Sequence, residues 1–488
     1  NMRPMRFYLN NELRELTAVD PTMTVLQWLR EDENLRGTKE GCAEGDCGAC
    51  SAVIGRVGAD GTMHYRAVNT CILFVPVLDG CQVLTVEHLQ SADGRLHPVQ
   101  RAMVEHHGSQ CGFCTPGFVM SLYAMYLNEA RPTRQRINDV LSGNLCRCTG
   151  YRPIIDAAQA MYDYDWQDAT LANAGRMAAL LQELNDGAEP LQVGNGARKF
   201  FAPTTATQLE ALLAEHPDAI MLAGGTDVGL WVTKLHRDLP DIIYVGNVAE
   251  LHGIEDRDEE LVIGAAVTHT DAYARIEQHF PDFGEMLRRF ASTLIRNSST
   301  VGGNIANGSP IGDSMPVLIA LDTTLVLRGP DGRRELALED FFIDYGKQDL
   351  RAGEFVESVR IPKLGKNEQF RCYKLSKRFD QDISSVCAAF KITLDGEHVL
   401  AMRTGFGGIA AIPARARQTE KMIIGQPWTE ATITLAEATL KSEFTPLTDM
   451  RASEAYRRLA TGRLLRKFFI ETSEPEALTR VLEEEVQP

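Results

Sequence analysis

Nine of the chain's eleven cysteines fall before residue 150, and eight of those nine make two sets of four. In the first set Cys42, Cys47 and Cys50 have the spacing C-x4-C-x2-C, and Cys71 follows 21 positions after Cys50. In the second set Cys111 and Cys114 form C-x2-C, and Cys146 and Cys148 form C-x-C. Thiolates are soft ligands that suit zinc or iron–sulfur chemistry. Two four-thiolate sets of unlike spacing in one short stretch point to a relay that passes electrons. Cys81 lies outside both patterns and reads as a buried free thiol; Cys372 and Cys387 carry no assigned role.

The first spacing is the one used for a plant-type 2Fe-2S cluster. Such a cluster is anionic, so backbone N–H groups must point at its sulfurs, and Gly41, Gly45 and Gly48 let the chain curl closely enough to supply them. Structural zinc is the alternative, although zinc knuckles use two close pairs and this set has one. The second set, taken alone, leaves zinc open as well. Its C-x-C gap is tight for a zinc knuckle, and both pairs precede expected helix starts, where orphan N–H groups and the positive dipole end favour an anionic cluster. A second 2Fe-2S centre is therefore expected.

Two glycine loops could do further chemistry. One is Met221-Leu222-Ala223-Gly224-Gly225-Thr226-Asp227-Val228. The other is Thr300-Val301-Gly302-Gly303-Asn304-Ile305-Ala306, followed by Asn307-Gly308-Ser309-Pro310-Ile311-Gly312-Asp313. Paired glycines after a strand expose consecutive N–H groups able to cradle a pyrophosphate, although ordinary turns use the same residues. No G-x-G-x-x-G follows a strand, and G-x-S-x-G, H-E-x-x-H and the Walker A pattern do not occur, so no nucleophile or general acid is expected in this chain.

The elements that must position these residues follow from pattern and caps. Residues 5–9, the Asn10-Asn11 turn and residues 13–17 read as a hairpin. Thr24 caps a helix with Val25, Leu26 and Leu29 on one face, and strands are expected at 51–55 and 82–86. Four short helices follow. One starts at Pro98 with Val99, Ala102, Met103 and His106 inward; one is capped by Thr115; one begins at Thr133; and one runs from Pro153 to about Tyr162. A polar stretch reads as a linker with one helix. Beyond it come a helix at 209–215 and strands at 220–223, 242–245 and 261–263. The last segment opens with a hairpin around Asp395-Gly396 and ends in long helices.

A chain of 488 residues accommodates about three to four domains. The boundaries expected are 1–90, 91–165, a linker at 166–196, 197–367 and 368–488. Net charge is −16, from 50 basic and 66 acidic residues, which argues against nucleic acid and anionic membrane as partners. The hydrophobic fraction of 44% is that of a soluble protein. No secretory signal is expected, Asn1 before Met2 reads as an appended residue, and apolar runs such as 315–321 are too short to span a bilayer. Many cysteines without a leader argue for a reducing compartment, hence the cytoplasm.

Three motifs carry a resemblance to a known family. They are Gly41-Cys42-Ala43-Glu44-Gly45-Asp46-Cys47-Gly48-Ala49-Cys50, Gln110-Cys111-Gly112-Phe113-Cys114-Thr115-Pro116-Gly117 and Gly143-Asn144-Leu145-Cys146-Arg147-Cys148-Thr149-Gly150-Tyr151. They resemble the iron–sulfur motifs of the xanthine oxidase/molybdenum hydroxylase family. The resemblance implies a multidomain α+β chain: a β-grasp 2Fe-2S ferredoxin domain, a four-helix 2Fe-2S domain, a vanillyl-alcohol-oxidase-type FAD domain and a small α+β C-terminal domain. It implies that all eight cysteines of the two sets are ligands. It carries over Leu222, Ala223, Gly224, Gly225, Thr226, Asp227 and Val228, with Thr300, Val301, Gly302, Gly303 and Asn304, as diphosphate loops. Phe290, Asp313, Val356 and Lys374 carry over as flavin contacts, where the plain alternatives are core packing for Phe290 and a solvated loop carboxylate for Asp313. Residues 375–384 match the family's loop beside the flavin, where Asp380 and Asp382 would tune access and potential; the alternative is a surface turn.

The implied activity is that of an iron–sulfur and FAD subunit with no catalytic residue of its own. No counterpart of the family's large molybdopterin domain follows in the sequence, so molybdopterin is expected in a separate large subunit, two of each chain forming a heterotetramer. Electrons from hypoxanthine or xanthine would pass from molybdenum to the helical-domain cluster, the ferredoxin-type cluster, FAD and then NAD. A sister hydroxylase acting on aldehydes, nicotinate or another heterocycle, and a free-standing electron carrier, are the alternatives.

Overall fold

The computed structural model describes residues 3–480. Residues 1–2 and the end of the last expected segment, 481–488, lie outside the described residues. The chain divides into two compact units: residues up to 251 with 268–270 and 291–300, and residues 252–267, 271–290 and 301 onward.

The first unit opens with a mixed five-stranded sheet. Its strands are β1 (Met5–Leu9), β2 (Glu12–Leu16), β3 (Ser51–Val57), β4 (Met63–Asn69) and β5 (Gln82–Leu84), in the order β2-β1-β5-β3-β4. β1 pairs antiparallel with β2 and parallel with β5. Met5, Phe7 and Leu9 alternate inward along β1, as a half-buried strand requires. Helix α1 (Val25–Glu31) buries Val25, Leu26, Trp28 and Leu29, with Thr24 accepting the Gln27 N–H at its start. β4 has no counterpart in the sequence reading, although Tyr65 and Ala67 point inward and His64 and Arg66 outward in the alternation of a half-buried strand; it pairs antiparallel with β3.

Four helices follow: α2 (Pro98–Glu105), α3 (Thr115–Asn128), α4 (Arg134–Leu141) and α5 (Arg152–Ala160). Pro98 opens α2 as expected, but the cap is His97, whose Nδ1 accepts the Val99 N–H at 3.2 Å. With Nδ1 accepting, Nε2 carries the proton and donates to Asp168 Oδ2 at 2.8 Å. His106 caps the C-terminus of α2 instead of lying on its buried face. Thr115 does not cap α3: Cys114 holds that position, and the Thr115 hydroxyl donates to Ser109 Oγ. Pro153 is the second residue of α5, which ends at Ala160 and not near Tyr162.

The stretch read as a linker with one helix holds two helices, Ala169–Ala172 and Ala174–Asn185, and a strand, Leu191–Gly194. That strand pairs with Lys199–Ala202, which is followed in a four-stranded sheet by Ile242–Tyr244 and Ile220–Leu222. Two cores result. Val53, Tyr65 and Leu84 pack with Phe118, Tyr123, Ile137 and Ile154 of the helices. Phe7, Trp28 and Val83 pack with Val193, Phe200 and Ile242 of the second sheet.

The second unit holds an antiparallel five-stranded sheet in the order Ile254–Asp256, Glu260–Gly264, Phe355–Pro362, Thr324–Gly329, Gly332–Ala337. A three-stranded meander follows: Glu368–Leu375, Val386–Asp395 and His398–Gly407. Its second turn is the hairpin expected at Asp395-Gly396, with Asp395 opposite His398. Helices Glu430–Glu443 and Glu454–Ser473 complete this part around Phe390, Phe406, Trp428 and Phe468. Among the described residues no helix is long and apolar enough to cross a membrane.

Phe390 is fully buried and stacks on Phe468 with ring centroids 5.3 Å apart. Phe390→Ala is expected to lower unfolding free energy by about 3–5 kcal/mol. Differential scanning calorimetry checks it as a lower-temperature unfolding transition.

Candidate electron-transfer site

The loop between α1 and β3 brings the first set together. The Cys42 thiol contacts those of Cys47 and Cys71, and Cys71 contacts Cys50. Cys50 and Cys71 are buried, whereas Cys42 and Cys47 are partly exposed. Ala43, Gly45 and Gly48 take left-handed φ values of 54°, 80° and 71°, which curl the loop inward. Three backbone N–H groups consequently converge on Cys42 Sγ, from Glu44 at 3.4 Å and from Asp46 and Cys47 at 3.3 Å. Hydrogen bonding from Cys47, then from Cys71, holds the Cys42 thiol far below its ordinary range. The proton-donating partners Cys47 and Cys71 are pushed up in turn. The Asn69 side-chain amide donates to Cys50 Sγ at 3.7 Å.

The second set meets in pairs, Cys111 with Cys148 and Cys114 with Cys146. Burial, then the hydrogen bond to Cys146, pushes Cys114 up to about 12. Burial opposes ionisation of Cys146 too, but the Thr149 hydroxyl at 3.2 Å and amide at 3.5 Å outweigh it and hold that thiol below its ordinary value. Cys114 stands at the N-cap of the 14-residue α3, where unpaired amides and the positive dipole end favour a negative charge. Cys111 and Cys148 are exposed.

The two loops are joined by hydrogen bonds. Leu145 N–H donates to the Cys47 carbonyl at 2.9 Å. The side-chain amide of Asn144 reaches Gly48 O at 3.2 Å and Ser51 Oγ at 3.3 Å, and its oxygen accepts from Ser121 Oγ at 2.7 Å. Asn144 is 1% exposed, so these bonds replace water entirely. Sequence reasoning missed this role; the only signal was an asparagine beside a C-x-C motif. The first set's thiols meet as a chain, Cys47–Cys42–Cys71–Cys50, and the second set's as two pairs; among the described residues no group of three or more His, Cys, Asp or Glu is arranged for a single metal ion.

The first glycine loop lies in the first unit, between strand Ile220–Leu222 and helix Val228–Thr233. A methyl group added at Gly224 would sit 2.0 Å from the Ser298 carbonyl, so only glycine lets this loop pack on the 298–299 backbone, and Gly225 follows with a left-handed φ of 69°. Asp227, at the helix start, accepts from the Trp231 indole at 3.0 Å, and burial raises its pKa. Thr300, also in the first unit, forms an isolated bridge with Thr268. The other residues of the second loop belong to the second unit and are helical, within Val301–Asn307. Their expected strand–turn form is thus replaced by a short helix whose first amides, from Val301 and Gly302, donate to Val267 and Ala265 carbonyls.

In the second unit Asp313 is no solvated carboxylate. It is 4% exposed, paired with Lys374 Nζ at 2.6 Å, and it accepts from Ser384 Oγ at 2.5 Å. Lys374 donates also to Ser384 at 2.9 Å, so three buried polar groups satisfy one another. Ser384 was within the expected loop but was not singled out. Phe290 ends helix Pro281–Arg289 and is half-buried, not a core residue. Val356 is buried on strand Phe355–Pro362 opposite Leu327, beside a bulge. Asp382 accepts the Arg378 and Ile383 amides at 2.9 and 3.1 Å and so folds its loop on itself. Arg289 lies 4.3 Å over the Phe379 ring in the same loop, and Asp380 is half-buried beside it.

Four family models match in sequence order: a 2Fe-2S iron-sulfur cluster binding domain over 7–75, a 2Fe-2S binding domain over 85–159, an FAD binding domain in molybdopterin dehydrogenase over 195–364, and a CO dehydrogenase flavoprotein C-terminal domain over 371–472. The chain is an iron–sulfur flavoprotein with two 2Fe-2S domains and an FAD-binding domain. A xanthine dehydrogenase from Emericella nidulans is 34% identical over 90% of this chain and 36% of its own length. The chain therefore spans little more than a third of that relative. A carbon monoxide dehydrogenase structure from Hydrogenophaga pseudoflava, lacking the Mo-pyranopterin moiety of the molybdenum cofactor, is 26% identical with a TM-score of 0.52, covering 55% of this chain and 94% of its own. A quinoline 2-oxidoreductase from Pseudomonas putida 86 shares the fold at 24% identity and a TM-score of 0.51, over 58% of this chain and 97% of its own. The chain belongs to the xanthine oxidase/molybdenum hydroxylase family and carries that family's iron–sulfur and FAD electron-transfer portion.

Cys114→Ser is expected to remove one of two distinct low-temperature EPR signals and to lower iron from about four to about two per chain. EPR with iron analysis checks this; survival of both signals would contradict the ligand set.

Proposed function

We propose that this chain is the redox subunit of a xanthine dehydrogenase, taking electrons from hypoxanthine or xanthine oxidised at a partner's molybdenum centre. The observation that carries the relay is the hydrogen-bonded junction of the two cysteine loops, Leu145 to Cys47 and Asn144 to Gly48. In this reading each set of four cysteines holds one 2Fe-2S cluster. The amides at Cys42 and the Thr149 groups at Cys146 stabilise negative charge on sulfur and thereby tune potential. FAD, when bound, accepts electrons singly and gives them up as a pair, which lets a one-electron wire reduce NAD.

The chain's own part is to hold and orient. In the first unit the first glycine loop is the diphosphate loop; in the second unit the residues of the short helix at 301–307 are carried as a further diphosphate loop, and the Asp313–Lys374–Ser384 group, with Phe290 and Val356, as flavin contacts. Asp380 and Asp382 lie in the loop that governs access of NAD. Electrons arrive at Cys111 and Cys148, which are exposed, and Phe113, Leu145 and Tyr151 of the same two cysteine motifs are exposed too, at 49%, 39% and 38%. Exposed apolar side chains beside a redox centre suit a large molybdopterin-binding partner subunit. A cytoplasmic heterotetramer of two small and two large chains is the assembly proposed.

Likeness to curated xanthine dehydrogenases supports purine as substrate; the carbon monoxide dehydrogenase structure supports a sister hydroxylase as the second reading. Turnover by the co-purified complex separates them. With NAD as acceptor, hypoxanthine and xanthine are expected to be oxidised and aldehydes poorly; absence of purine turnover would overturn the proposal.

A further inference from the structure

The first unit joins the ferredoxin-type loop to the first glycine loop through a contact neither motif predicts. Ile72 follows Cys71 directly, is 3% exposed, and packs with Leu26, Cys50 and Cys71 against Leu230 and Ile295. Helix Val228–Thr233, which continues the glycine loop, lies along it. A methyl group added at Gly229 would stand 2.7 Å from both Cβ and the carbonyl oxygen of Ile72. One added at Gly225 would lie 3.6 Å from the same oxygen. At the other end of the helix the Thr233 hydroxyl donates to the Ala43 carbonyl at 2.7 Å, next to Cys42. Lys234 lies 3.6 Å from Glu44. Both ends of the cysteine loop, at Cys42 and at Cys71, are thereby pinned to one six-residue helix.

We propose that Ile72 and Gly229, with Thr233, are positioning residues that fix the distance from the ferredoxin-type cluster to the FAD held at the first glycine loop. The inference rests on the relay reading above and deepens it. Cys71 is one of the first set, and its neighbour's carbonyl meets the backbone of the loop expected to hold FAD diphosphate, with no side chain between. Across this gap the cluster side loses one electron and the flavin side gains one. Two passages and two protons from solvent complete flavin reduction, the electrons originating in the partner's substrate. Bulk at position 229 has only two remedies: the helix moves away from Ile72, or Ile72 moves and takes Cys71 with it. Either changes the gap while leaving all eight cysteines in place.

The test uses the intact complex. Iron, acid-labile sulfide and FAD are measured first on the natural protein; lack of either cofactor would sink the relay reading itself and not this inference. Flash reduction then gives the rate of transfer between cluster and flavin, and EPR power saturation of the flavin signal reports how strongly the reduced cluster relaxes it. Gly229→Ala is expected to keep both clusters and FAD, to slow transfer several-fold and to weaken the relaxation. Ile72→Val, which keeps the branched contact, is expected to retain the natural rate. Should Gly229→Ala lose FAD, Thr233→Val decides, since at nearly constant volume it removes the hydroxyl that bonds the Ala43 and Gly229 carbonyls; it is expected to slow the same step. Unchanged transfer and relaxation in Gly229→Ala, or in Thr233→Val where Gly229→Ala loses FAD, would overturn the proposal.

Discussion

The junction between the two cysteine loops is the constraint on which the rest of the first unit depends. Asn144 is buried and spends its amide on Gly48, Ser51 and Ser121, while Leu145 N–H meets the Cys47 carbonyl. A buried polar group left without its partner costs about 1–3 kcal/mol. Several such groups meet here, so the two loops hold one register or lose all of these bonds together. The shared apolar core of Val53, Tyr65, Phe118 and Tyr123 supplies the non-directional attraction, and the Asn144 network fixes the geometry.

The same loop is then held from a second side. Ile72 and Ala43 meet the helix that follows the first glycine loop, so the first cysteine set sits between the second set and the expected diphosphate loop. A relay needs short, rigid gaps more than it needs reactive side chains. This accounts for a chain whose sequence offers no nucleophile or general acid and whose structure invests in close backbone contact.

Much of this was legible in the sequence. The eight cysteines, the caps at Thr24 and Thr133, Pro98 at the start of α2 and the turn at Asp395-Gly396 all depend on local chemistry, which spacing reports directly. What could not be read depends on long-range pairing. β4 and the strand Leu191–Gly194 do alternate, but they are short, and their pairing with β3 and with Lys199–Ala202 is what makes them strands. Cys114 took the cap position expected of Thr115, because the Thr115 hydroxyl found Ser109. For Asp313, expected as a flavin contact, the alternative of a solvated carboxylate falls because Lys374 and Ser384, 61 and 71 residues away, close around it. Asn144 and Ile72 carry no motif of their own; their importance comes from what folding brings against them.

The central claim is that two thiolate sets hold two clusters within one hydrogen-bonded relay. Low-temperature EPR of the fully reduced protein, followed through a redox titration, tests it most directly. The account predicts two distinct signals, each integrating to one spin per chain, that broaden or split one another once both centres are reduced. A single signal, two signals without mutual broadening, or zinc in place of iron would contradict it.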